Sequence, residues 1–169
     1  MERINAIIES KEYKHYLAKI KDYEKTRVFC CHDWEHFLAV CRISYIIVLE
    51  AENKGELQYL SNSIIKELTY ATGFLHDIGR WVQYETGEDH AAASGRLAVP
   101  LLKQANFTDD EIKLIVTAIR EHRGAYAESF LGKIISRADD IARQCNQCQV
   151  KLDCYKLDKM PGKGKGIIY

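Results

Sequence analysis

Apolar residues along this chain recur at helical spacing almost throughout, and no stretch sustains the two-residue alternation of a strand. Only two prolines interrupt the 169 residues. A chain patterned this way folds as all-α, and its length suits one sizeable core. The spacing predicts a compact single-domain helical bundle of about six helices. The first should cover Glu2 to Lys25, with Ile4, Ile7, Ile8, Tyr16, Leu17 and Ile20 available for packing. A second should start at the capping residue Asp33 and run to about Asn53, ahead of Gly55. A third should run from Ser61 to His76 and end at Gly79. The polar stretch Gln83 to Asp89, which contains Gly87, reads as a loop. Asp89 should cap a fourth helix that ends before Phe107, with Pro100 kinking it. Thr108-Asp109-Asp110-Glu111 fits a capping box for a fifth helix, Asp109 to His122, with Gly124 as its stop. The sixth should cover Glu128 to about Arg143, and the segment after Met160 reads as a flexible basic tail with an Ile-Ile-Tyr end.

On those helices, ionisable residues fall beside the inward faces. His36 heads a face with Val40 and Ile43, and His76 shares one with Thr72, Thr69 and Ile65. His90 lines up with Ala93, Leu97 and Leu101, His122 with Ile119, Ile115 and Ile112, and Asp139 with Ile135 and Ala142. Asp77 adjoins His76, and Gly79 can break the helix there, so the two side chains need not point apart as neighbours on a helix do. One inward histidine ordinarily fills core space and donates to a carbonyl. Five such positions, with an aspartate beside one of them, are most economically satisfied by a shared metal ion, and facing helices of a bundle are where such sites are built. The donors are imidazole nitrogen and carboxylate oxygen, which favours Mn, Fe, Co, Ni or Zn, with Mg admitted at an oxygen-rich position.

Lysine plus arginine equals aspartate plus glutamate, 24 against 24, so no global charge draws the chain to a nucleic-acid polymer or an anionic membrane. The N-terminus lacks a signal-peptide pattern, and the apolar stretch near Ile43 to Leu49 is too short to span a bilayer, so a cytoplasmic protein is expected. Six cysteines without a secretory signal argue against a disulfide framework. Cys145, Cys148 and Cys154 cluster near the end of the chain. A zinc or iron–sulfur site normally wants four ligands, so three thiols read as free unless Cys30, Cys31, Cys41 or another chain supplies the fourth.

The order His36…His76-Asp77…His90…His122…Asp139 resembles the HD superfamily of metal-dependent phosphohydrolases, over residues from about 30 to 140. The local contexts are similar too: His36-Phe-Leu-Ala-Val-Cys-Arg, Leu-His-Asp-Ile-Gly-Arg and Ser-Arg-Ala-Asp-Asp-Ile. The resemblance implies an HD-domain fold, with an N-terminal helix at 1–30, the metal-binding domain at 31–144 and a cysteine-containing extension at 145–169. It implies metal ligation by His36, His76, Asp77 and Asp139. His90 and His122 match positions that some subfamilies use for a second metal and others for phosphate, and one ion or two is left open. The Gly-Tyr-Pro motif of cyclic-di-GMP phosphodiesterases is absent, because Arg80-Trp81 follows Gly79.

The implied activity is phosphohydrolysis of a small phosphorylated molecule, with nucleotides among the candidates. Asp77 and Arg80 would be catalytic, and His32, Arg80 and Arg123 would contact substrate. Arg120 and Arg137 are weaker phosphate clamps, since guanidinium binds oxyanions bidentately. Trp81, Tyr84 and Tyr126 could stack on a nucleobase. Asp140, next to Asp139, should point elsewhere and serve at the surface or as a cap. Self-association is left open. The alternative is a non-catalytic HD module that senses a nucleotide or metal.

Overall fold

The computed structural model describes residues 1–51, 54–123, 127–160 and 169. Among these residues all regular structure is helical: α1 (Glu2–Glu9), α2 (Lys11–Tyr23), α3 (Trp34–Glu50), α4 (Asn62–Leu75), α5 (Arg80–Thr86), α6 (His90–Gln104), α7 (Asp109–Glu121) and α8 (Phe130–Ile141). Short 3-10 turns lie at Gly55–Leu57, Lys151–Asp153 and Leu157–Lys159. Asn53, Gly124, Tyr126 and the tail at 161–168 lie outside the described residues.

Capping chemistry explains most boundaries. The side chains of Asp33, Ser61, Asp89, Thr108 and Ser129 each accept a backbone N–H from the first turn that follows, satisfying donors a helix start would leave orphaned. Thr108 and Glu111 complete the reciprocal capping box. Two expectations are corrected. The first helix is two, because Ser10 adopts extended geometry (φ −62°, ψ 148°) and its Oγ takes the Tyr13 N–H. The expected loop from Gln83 is largely helical: α5 runs to Thr86, and Gly87 ends it in the left-handed region at φ 80°. This short helix has no apolar periodicity of its own. It is held by Val82 in the core and by Trp81, which stacks on Tyr16 of α2. These two changes turn about six helices into eight. Pro100 stands inside α6 on an exposed position and does not end the helix.

α4 is the central helix. It packs against α1, α3, α6, α7 and α8, and every residue from Ala71 to Gly79 is buried. A helix enclosed on all sides is apolar all round. Thr69 and Thr72 are accommodated because their hydroxyls donate to the Ile65 and Leu68 carbonyls, at 2.7 and 2.8 Å. The His76-Asp77 pair therefore sits at the end of the best-supported helix in the molecule.

Gly79 matters for close approach. Its backbone (φ −86°, ψ 2°) is one that any residue adopts. A Cβ there would stand 2.4 Å from the Ser94 nitrogen and 2.7 Å from the His90 carbonyl oxygen. The start of α5 is thereby pressed against α6, and the Gly79 N–H donates to Ser94 Oγ at 2.9 Å. Backbone atoms cannot swing aside, so Gly79→Ala should destabilise the fold by about 1–3 kcal/mol through overpacking. The check is a lower urea midpoint at unchanged slope. An unchanged midpoint would show that the two segments do not need this contact.

Candidate metal centre

Helix ends deliver every candidate ligand. His36 lies in the first turn of α3, and its N–H is held by the Asp33 carboxylate at 2.9 Å. His76 caps the end of α4, with Asp77 next to it. His90 opens α6, His122 caps the end of α7, and Asp139 lies in the last turn of α8. Two groups form, each with ligating atoms within 4.8 Å of one another: His36, His76, Asp77 and Asp139, then Asp77, His90 and His122. The carboxylate of Asp77 divides between them. Its Oδ2 lies 3.5 Å from His76 Nε2, while its Oδ1 lies 3.2 Å from His90 Nε2 and 3.4 Å from His122 Nε2. Asp139 Oδ1 lies 3.1 Å from His36 Nε2 and 3.8 Å from His76 Nε2.

These are approaches without hydrogen-bond geometry. The Nε2 atoms of His36 and His76 and both Asp77 oxygens are buried with no hydrogen-bond partner. Such orphans are costly, and they are rare in native interiors. Ligands each about 2.1 Å from one ion stand roughly 3.0–3.4 Å apart. The observed separations approach that spacing, so the donor set fits a divalent cation.

The tautomers agree. His76 Nδ1 faces the Gly73 carbonyl at 2.7 Å, and His122 Nδ1 faces the Ile119 carbonyl at 2.6 Å. A carbonyl oxygen only accepts, so Nδ1 carries the proton and Nε2 offers its lone pair inward. His90 does the same through Gln83 Oε1, at 2.8 Å. Charge states fit as well. Burial brings His36 down to about 4 and His90 to about 3, and it also lowers His32. Burial alone would raise Asp77, but His76 and Arg80 hold it well below the usual carboxylate range. Asp139 is held low against burial by Arg143 and His36. His122 is raised, because its contact with Asp77 outweighs burial.

His32 joins the cluster, its Nε2 3.3 Å from Asp77 Oδ2. Its Nδ1 faces buried Glu24, which also takes the His32 N–H at 2.6 Å and the Tyr84 hydroxyl at 2.6 Å. Glu24 is brought to about 2 because the bond to His32 outweighs burial. Arg80 stands with Nε 3.3 Å from Asp77 Oδ2. Arg143 donates to Asp139 Oδ1 at 3.0 Å and to the Cys31 carbonyl at 3.2 Å. Glu24, Gln83 and Arg143 were not picked out from the sequence. Only Arg143 had a legible signal, its position four residues after Asp139.

A cavity of about 620 Å³ opens over the cluster. Arg80, His90, His122 and Asp139 form its floor, and Tyr155, Lys156, Lys159 and Met160 come in from the C-terminal segment. Asp140 also lines it, half-buried and outside both ligand groups; burial and Asp139 push its carboxyl up. Arg123 is on the rim, paired with Asp89. Arg120 lies over Gly95 between α6 and α7, and Arg137 is exposed. The stacking expectation finds no support in Trp81 and Tyr84. Trp81 is engaged with Tyr16 and with Lys19, and Tyr84 with Glu24 and Arg27. Tyr126 is outside the described residues.

The HD domain family matches residues 33–144, and the chain belongs to that family. An uncharacterized protein of Clostridium beijerinckii is 37% identical over 154 residues, covering 91% of this chain and 92% of that protein. No solved structure matches. Among the described residues no helix is long and apolar enough to cross a membrane.

Because Asp77 belongs to both groups, Asp77→Ala should reduce metal at both, whereas His122→Ala should reduce it only at the second. Metal analysis after equilibrium dialysis checks this, and full loading of Asp77→Ala would overturn the shared position. Gln83→Ala, which frees the His90 ring, should weaken metal binding by about 10–100-fold. Acid should act first on the second group. His122 takes up its proton at a higher pH than an ordinary histidine, and a protonated imidazole cannot ligate. Metal titrations at falling pH should therefore lose the His90–His122 site before the other.

Proposed function

We propose that this chain is a metal-dependent phosphohydrolase that acts on a small phosphorylated substrate, with nucleotides as candidates. The observation that carries the reading is the pair of ligand groups joined by Asp77, three of whose members, His90, His122 and Asp139, form with Arg80 the floor of a cavity walled by Lys156 and Lys159. A second metal group offers a role for His90 and His122 beyond phosphate contact. Mn, Fe, Co, Ni and Zn suit the mixed donors, with Mg at an oxygen-rich position. When bound, such ions lower the pKa of water and polarise a phosphoryl oxygen.

The protein's own residues do the rest. His36, His76, Asp77 and Asp139 hold the first position, and His90 and His122 with Asp77 hold the second. Arg80 borders both Asp77 and the cavity, where its guanidinium can meet phosphoryl oxygens as their negative charge develops. Lys156 and Lys159 attract the rest of an anionic substrate. His32, fixed by Glu24, steadies Asp77 and lines a smaller adjoining cavity with Arg80 and Asp139. In this reading residues 31–144 form the catalytic unit, 1–30 pack on it, and the extension at 145–169 supplies Tyr155, Lys156, Lys159 and Met160 to the pocket wall.

A panel of phosphomonoesters, phosphodiesters and nucleoside triphosphates, each with Mn, Co, Ni or Mg, tests the proposal. Metal-dependent turnover is expected. Asp77→Ala should abolish it with helical circular dichroism preserved, and Arg80→Ala should lower kcat/KM about 100-fold or more. Ligand binding without turnover across the panel would replace this reading with a sensing module.

A further inference from the structure

We infer that Cys30, Cys145, Cys148 and Cys154 form a second, sulfur-only metal site that takes a zinc ion and anchors the C-terminal segment beside the catalytic cavity. Three of these thiols are close in the chain, and the fold brings up the fourth. A cavity of about 500 Å³ between the segment leading into α3 and the segment following α8 is lined by Cys30, Cys31, Cys145 and Cys148. An adjoining cavity of about 70 Å³ is lined by Cys30, Cys145 and Cys154. Cys30 and Cys145 thus line both. The field between the sulfurs agrees: after burial, the Cys30, Cys154 and Cys148 thiols all push Cys145 up.

The local chain suits the role. Cys145 and Cys148 have the two-residue spacing of a zinc knuckle. Tight turns follow, with the Cys148 N–H on the Cys145 carbonyl at 3.4 Å, Cys154 on Lys151 at 3.2 Å and Leu157 on Cys154 at 3.0 Å. Ion binding requires this knuckle to tighten, since no three of the four sulfurs lie within 4.8 Å of one another. As four Zn–S bonds form, four thiol protons pass to the solvent, leaving a net charge of about −2. Arg27 and Arg143 offset it. Arg27 donates to the Cys30 carbonyl at 2.8 Å and Arg143 to the Cys31 carbonyl at 3.2 Å, and both line the smaller cavity.

The remaining cysteines are excluded by their surroundings. The Cys31 thiol turns to the Phe29 carbonyl at 3.7 Å, with Glu24 and Asp33 opposing its ionisation. Cys41 is buried at the α3–α4 crossing, against the Tyr70 carbonyl. The consequence for the pocket is direct: Cys154 precedes Tyr155 and Lys156, which line the catalytic cavity.

The test reads sulfur–metal bonds, so it is independent of catalysis. The full chain, purified under reducing conditions, is assayed for zinc, then exchanged with Co²⁺ and scanned in the near ultraviolet. Expected are one zinc per chain that survives Asp77→Ala and a thiolate-to-cobalt charge-transfer band. Cys30→Ser should remove both, and Cys31→Ser and Cys41→Ser should remove neither. Alkylation mapped on the wild-type chain gives a second measure: zinc should protect those four thiols and a chelator should expose them. No charge-transfer band, a band unchanged in Cys30→Ser, an iron–sulfur chromophore, or labelling indifferent to zinc would each overturn the proposal.

Discussion

The carboxylate of Asp77 is wholly buried, and six helix ends meet around it. Burying an ionised carboxylate costs several kcal/mol. One opposite charge at about 4 Å returns about 4 kcal/mol at an effective dielectric near 20. Arg80 supplies one such contact, yet both Asp77 oxygens remain without a hydrogen bond. Three of the converging ends, those of α4, α7 and α8, are C-terminal and carry partial negative charge, which the N-terminal ends of α3, α5 and α6 offset. The carboxylates of Asp77 and Asp139 are what make the locality hospitable to cations. The imidazoles of His36 and His90, which burial holds neutral, add donors without adding positive charge. The same constraint that makes this core expensive for a carboxylate makes it selective for a multivalent cation.

Two helices solve the aiming problem in the same way. A helix leaves its last carbonyls unpaired. At the end of α4 the Gly73 carbonyl receives the His76 Nδ1 proton, and at the end of α7 the Ile119 carbonyl receives that of His122. Each imidazole sits three residues after its acceptor. One bond satisfies an orphan carbonyl, selects the tautomer and points Nε2 inward. His90 opens a helix, where no spare carbonyl exists, so its acceptor must come from elsewhere. Gln83 of α5 provides it, and close contact at Gly79 brings α5 near enough to do so.

This explains what was legible in the sequence. His36, His76, His90, His122 and Asp139 could be picked out because each must stand beside an apolar face at helical spacing, and Asp77 because it adjoins His76. The caps at Asp33, Asp89 and Thr108 could be read because capping is local chemistry. Glu24 and Gln83 could not: their partners lie on other elements, and a polar side chain that orients a histidine resembles any surface residue until the helices are packed. The α5 helix was missed for a related reason. Its stability comes from Trp81 on Tyr16 and from Val82 in the core, neither of which leaves a periodic trace in seven residues. The break at Ser10 was overlooked because the apolar pattern continues across it, although serine there is a sound cap.

The match to the HD domain covers residues 33–144, and the remainder of the chain is not idle. Glu24 and His32 precede the match and brace Asp77 from behind. Tyr155, Lys156, Lys159 and Met160 follow it and wall the cavity. The ligating floor is built from deep helix ends that tolerate little change, because each carries a buried polar atom. The wall is built from exposed side chains on tight turns, where substitution costs little stability. For the proposed phosphohydrolase, substrate choice is therefore free to vary in the wall while the floor stays fixed, and a fold shared with other HD proteins carries their metal chemistry more securely than their substrates. Under that proposal, whatever steadies residues 145–160 against the segment leading into α3 acts on specificity, since it sets where two lysines and a tyrosine stand over the ligand groups.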